Sequence, residues 1–158
     1  MNRTSYAIAT GLMAACMATA TASAQNFMAY EYGASADAVS QVSVANLAPN
    51  WVVTGVRNGT GLAEVITWES TGHSLVRKGS ATGTAISNVG VSTVALNSTQ
   101  VITASIADGL VELMSWTVDA SGGVQFAASL TGESAKSLRV TKLDATRVVG
   151  AVKTSPGT

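Results

Sequence analysis

The chain has 158 residues, with nine basic and nine acidic side chains, 47% apolar residues and only 11% charged ones, where an average domain carries roughly 25%. That balance leaves no basic stripe to neutralise phosphates, which excludes nucleic acid as an expected partner, and the apolar content excludes a disordered chain. The length suits one domain with a core of its own.

Residues 1–24 read as an export signal: a basic start at Arg3, an apolar stretch from Tyr6 to Ala20, and the small-x-small pattern Ala22-Ser23-Ala24. Cleavage after Ala24 leaves a secreted or periplasmic protein with eight basic and nine acidic residues. The apolar stretch is interrupted by Thr10, Gly11 and Thr19 and falls short of the roughly 20 residues of a membrane span, and no later segment reaches that length, so no span is expected. Cys16 is discarded with the signal in this reading, leaving no cysteine and no disulfide. The alternative takes Leu12-Met13-Ala14-Ala15-Cys16 as a lipoprotein box, with Met13 where leucine is usual and Cys16 lipidated.

Internal self-similarity dominates the chain after the signal. Gly61-Leu62-Ala63-Glu64-Val65-Ile66-Thr67-Trp68 recurs 48 residues later as Gly109-Leu110-Val111-Glu112-Leu113-Met114-Ser115-Trp116. Upstream, Val52-Val53-Thr54-Gly55 matches Val101-Ile102-Thr103-Ala104 and Val148-Val149-Gly150-Ala151, at offsets of 49 and 47. Before these copies stand Leu47, Leu96 and Leu143, each with Val42, Val91 or Leu138 five residues earlier, marking another repeated strand.

Each unit reads as four short strands, here Trp51 to Arg57, Leu62 to Trp68, Ser74 to Lys78 and Ile86 to Val94, with turns at Asn58-Gly59, Ser70-Thr71-Gly72 and, in the next copy, Asp108-Gly109. No helix is expected after the signal. The second strand is apolar on both faces, with Leu62, Ile66 and Trp68 on one and Ala63 and Val65 on the other, so it must be covered on both sides. Face-to-face stacking of sheets meets that need, and four strands in about 48 residues is the size of a β-propeller blade. The fold expected is therefore all-β, built of β-propeller-like tandem four-stranded antiparallel blades that form an incomplete ring within one chain.

Val52-Val53-Thr54-Gly55-Val56-Arg57-Asn58-Gly59, followed by Gly61-Leu62 and Ile66-Thr67-Trp68, resembles the blade of bacterial secreted tandem-repeat β-propellers. The resemblance implies architecture and attaches no single activity.

The repeat divides the chain after the signal into a half blade at 25–46, blades at 47–95 and 96–142, and the first strand of a further blade at 143–158. Phe27 to Tyr32 aligns with a third strand and Gln41 to Ala45 with a fourth. A propeller of four to eight blades then needs either several copies closing a ring, a homo-oligomer, or a longer protein of which this chain is the start. The second is preferred, because the stop falls inside a repeat.

Candidate chemistry is sparse. His73 is the one histidine and lies in a turn, which with no cysteine or second histidine argues against a zinc site and against a nucleophilic triad. Asp119-Ala120-Ser121-Gly122-Gly123 has a single carboxylate and reads as a tight turn instead of a calcium loop. Asn58-Gly59-Thr60 and Asn97-Ser98-Thr99 match the glycosylation sequon, weakly informative in a Ser/Thr-rich chain.

Glu64 and Glu112 recur in place, either as ligand acceptors or as structural acceptors for a neighbouring base; Arg57 and Lys153 could supply that base, but the middle unit has Ile106 there. Trp68 and Trp116 are either packing between blades or stacking platforms for a sugar. Arg57, Glu64, Trp68, Glu112 and Trp116 are thus the candidate ligand-binding residues, with no catalytic residue, metal or cofactor expected. The function expected is non-catalytic binding or scaffolding of an unidentified protein or glycan; the alternative is a lectin of the oligomer-built propeller type.

Overall fold

The computed structural model describes residues 39–71, 74–87 and 89–154. Ten strands follow one another: β1 (Gln41–Ala48), β2 (Trp51–Arg57), β3 (Leu62–Thr71), β4 (Ser74–Ala85), β5 (Ser92–Asn97), β6 (Gln100–Ala107), β7 (Leu110–Val118), β8 (Val124–Ser134), β9 (Ser137–Lys142) and β10 (Val148–Lys153). They make two four-stranded antiparallel sheets, β1-β2-β3-β4 and β5-β6-β7-β8, and a two-stranded third sheet, β9-β10. No helix occurs among the described residues, so none there is long and apolar enough to cross a membrane. The export signal, Cys16, the strand expected over Phe27 to Tyr32 and His73 lie outside the described residues.

Local chemistry sets the turns. Pro49 fixes the first corner of the β1–β2 turn and Asn50 takes the left-handed position at φ 64°. Asp108 and Gly109 both have positive φ, 49° and 80°, the two-residue hairpin whose twist suits the flanking strands. The Asn58 side-chain oxygen accepts from the backbone of Thr60 and Leu62, closing the β2–β3 loop. Asn97 accepts in the same way from Thr99, at the position where the third sheet has Asp144 accepting from Thr146. The two sequon asparagines are therefore turn caps.

The sheets stack in chain order: β1 packs on β5 and β4 on β8, while β9 packs on β5 and β6. The larger core lies between the first two sheets and holds Leu47, Val53, Ala63 and Val65 on one side and Val101, Met114, Trp116 and Val118 on the other. Ala104, Ile106 and Leu138 form a smaller one between the second and third. Two hydrogen bonds between sheets repeat with the sequence: Ser43 Oγ accepts from Thr93 N at 2.9 Å, and Ser92 Oγ from Val140 N at 3.1 Å. The tandem of stacked antiparallel sheets is the all-β architecture expected, and the described residues do not close a ring.

Two features differ from the sequence expectation. The strand placed over Ile86 to Val94 starts at Ser92, because residues 86–91 carry the chain from the outer strand of one sheet to the first strand of the next, through Gly90 at φ 118°. It also opens a sheet instead of closing one, so the hydrogen-bonded sheets span 41–85 and 92–134, and the repeat boundaries at Leu47 and Leu96 fall inside β1 and β5. The strand expected over Ser74 to Lys78 runs on to Ala85. Gly79 and Gly83 suggest a turn in sequence, but they lie where two sheets touch: a Cβ on Gly79 would stand 2.6 Å from the Gly122 carbonyl oxygen, and one on Gly83 2.8 Å from the Trp116 ring.

Candidate functional site

Each tryptophan of the repeat sits just past a β-bulge. Pairing slips by one residue between Thr67 and Trp68 against β4, and between Ser115 and Trp116 against β8. The slip places Arg77 opposite Trp68 and Phe126 opposite Trp116. Both indoles are then anchored in the same way: Trp68 Nε1 donates to Thr54 Oγ1 at 3.0 Å, and Trp116 Nε1 to Thr103 Oγ1 at 2.9 Å.

The two copies nevertheless serve different surroundings. Each faces the side from which the preceding sheet would come. Trp116 meets the first sheet there and is fully buried, edge-on to Phe126 with ring centroids 5.2 Å apart. Glu112, on the same face, accepts from Thr131 Oγ1 at 2.9 Å and from Thr84 Oγ1 of the first sheet at 3.3 Å. It is a buried carboxylate held by hydroxyls from both sheets, an inter-sheet tie.

Trp68 is half-buried on the outer face of the first sheet, which no other described sheet covers. Glu64 and Arg77 share that face: Arg77 Nη2 donates to Glu64 Oε1 at 2.9 Å and to Ser80 Oγ at 2.7 Å. A half-buried indole, a guanidinium and a carboxylate thus lie together where the second sheet has the buried Trp116 and Glu112 beside a partly exposed Phe126. Such a group can stack on an apolar ring face and both donate to and accept from polar substituents beside it.

Of the candidate residues, Glu64 and Trp68 come together, and Glu112 and Trp116 come together in the core. Arg57 joins neither group. It stands opposite Ala63, on the other face of the sheet from Glu64, and its Nε donates to the Ile86 carbonyl at 2.9 Å, fastening the connector. The base that partners Glu64 is Arg77, which the repeat does not single out. Alternation along an extended β4 would have put Arg77 in play, but without the bulge Lys78 would stand opposite Trp68.

Elsewhere the polar groups close turns. Asp119 Oδ1 accepts from Ser121 N, Ser121 Oγ and Gly123 N, and these bonds, the Ser121 hydroxyl foremost, hold its carboxyl below the usual value of 3.8. No group of three His, Cys, Asp or Glu side chains that could hold a metal occurs among the described residues. A cleft of about 210 Å³ between the first two sheets is lined by Leu47, Trp51, Thr99, Val118 and Asp119 and is mostly apolar. Comparison with protein-family models and with curated proteins gives no match.

Proposed function

We propose that this chain is a non-catalytic binding or scaffold module of the β-propeller kind that works outside the cytoplasm, and that its contact surface is the outer face of the first sheet around Trp68, Arg77 and Glu64. The observation that carries this reading is the contrast between the repeat copies. The same tryptophan position is core in the second sheet and half-open in the first, and the residue across from it changes from Phe126 to Arg77. A face meant only for burial gains nothing from a guanidinium, whereas a recognition face does. The two repeated carboxylates have structural partners, Glu112 tying two sheets and Glu64 paired with Arg77.

A second reading, a carbohydrate-binding lectin, is favoured by the residue types in this one place: an indole for the apolar face of a sugar and an Arg–Glu pair for its hydroxyls. A glycan array probed with the full chain, Trp68→Ala and Arg77→Met separates the two. Binding lost in both variants supports the lectin. Silence on the array with cross-linking to a protein partner at this face, abolished by the same variants, supports the scaffold. Ligand capture unaffected by either variant would exclude this face as the contact surface.

A further inference from the structure

The two ends of the stack carry unlike halves of one contact. At the junction between the first and second sheets, Leu47 and Val53 face forward and are 8% and 0% exposed, and Val91 and Thr93 face back and are 7% and 8% exposed. By the offsets of the repeat, Leu143 and Val149 hold the forward positions on the third sheet, and Val42 and Val44 the backward positions on the first. These four are 59%, 50%, 60% and 56% exposed. Apolar side chains at 50% and above, in the positions that are buried at the junction of the first and second sheets, mark surfaces built for a neighbour.

The small residue of the contact is also in place. Gly55 lies under Val91, Thr93 and Thr103 of the next sheet, and Ala104 is buried beneath the third sheet with Leu138. The third copy of this position is Ala151, which is exposed. Its counterparts on the first sheet, by the same offsets, are Val42, Val44 and Thr54.

We infer that the occupant of both surfaces is a second copy of this chain, stacked head to tail, with the outer face of β9–β10 on one copy seated on β1–β2 of the next. Each copy has both halves, so the contact is heterologous, and every added copy presents the same free surface again until a ring closes. Within the chain the third sheet packs chiefly on β5 and β6. Seated likewise on the next copy, it leaves β3 and β4 open, so Trp68, Arg77 and Glu64 remain accessible beside the junction. The inference does not depend on what that face binds.

The test is the mass of the full chain in solution, by light scattering over a range of concentrations, with circular dichroism as the check on folding. The chain is expected to exceed its single-chain mass of 15.9 kDa. Val44→Asp on one surface and Ala151→Arg on the other should each lose all species above a single chain while keeping the β signal, and Val42→Lys and Val149→Asp serve as second variants of the two surfaces. An equimolar mixture of Val44→Asp and Ala151→Arg should recover a dimer and nothing larger, because each variant keeps one intact half. A wild-type chain that stays single at every concentration overturns the inference. So does an Ala151→Arg chain that still self-associates, which would indicate a symmetric contact, and so does a mixture that recovers no dimer.

Discussion

The indole of Trp116 and the hydroxyl of Thr103, on neighbouring strands and the same face of the second sheet, form a fully buried hydrogen bond of 2.9 Å. The repeat reproduces the bond as Trp68 to Thr54, at an open face. Removing the acceptor should therefore have unequal consequences. Thr103→Val leaves the Trp116 N–H without a partner and without water, a penalty of about 1–3 kcal/mol. Thr54→Val leaves an N–H that water can reach, and should fall nearer the ordinary net value of about 1 kcal/mol. Urea unfolding of the two variants measures the difference, and equal losses would count against the two environments described.

Truncating the rings themselves should widen the gap. Trp116→Ala opens a void among Met114, Phe126 and Val65 and should cost about 3–5 kcal/mol, in the range of large core truncations. Trp68→Ala removes a half-buried ring and should cost clearly less. Acrylamide quenching gives an independent check: in the Trp51→Phe background, Trp68 should account for nearly all the quenchable emission and Trp116 for the protected part.

The architecture was legible because the repeat was. Gly-Leu-x-Glu and the terminal tryptophan fixed β3 and β7, and the Val-Val-Thr copies fixed β2, β6 and β10. Less was legible where packing overrides local preference. Gly79, Ser80 and Gly83 resemble a turn, and only the neighbouring Gly122 backbone and the Trp116 ring explain why that stretch is strand with no side chains to spare. The candidate site was half legible for a related reason. Glu64 and Trp68 lie on one face of their strand, a period-2 relation any strand reveals, whereas the partner base depends on a one-residue bulge that no local pattern announces. Arg57 was the wrong base because strand parity sends it to the opposite face.

Two glycines at positive φ separate backbone strain from crowding. Gly109 has φ 80° and nothing within 4 Å of where a Cβ would stand, so Gly109→Ala should cost only the left-handed penalty, about 1–2 kcal/mol. Gly122 has φ 88°, and the Trp51 ring already occupies the space its Cβ would need, with Lys78 at 2.7 Å. Gly122→Ala must also displace the Trp51 ring, and should be the more destabilising of the two, with a shift in Trp51 emission that Gly109→Ala lacks. Thermal unfolding of both variants decides it; a Gly109→Ala chain as unstable as Gly122→Ala would mean that conformation alone sets the cost.

Asp144 offers a test through pH. The backbone N–H of Thr146 first, and then Arg147, hold its carboxyl below the usual value of 3.8. A carboxyl depressed in the folded state contributes stability that is present above its unfolded value and is lost as pH falls through its folded value. The contribution should therefore be intact at neutral pH and fade below 3.8. The equivalent turn of the preceding sheet uses Asn97 for the same backbone bond, so Asp144→Asn should keep the β9–β10 turn while losing the charge. Urea midpoints of the variant and the wild type should differ slightly at neutral pH, through the lost ion pair with Arg147, and converge as pH drops below 3.8. Asp119, depressed by its own turn, adds to the acid sensitivity of both proteins equally, so a gap that stays constant or grows through the acid range would show that Asp144 is not linked to folding in this way.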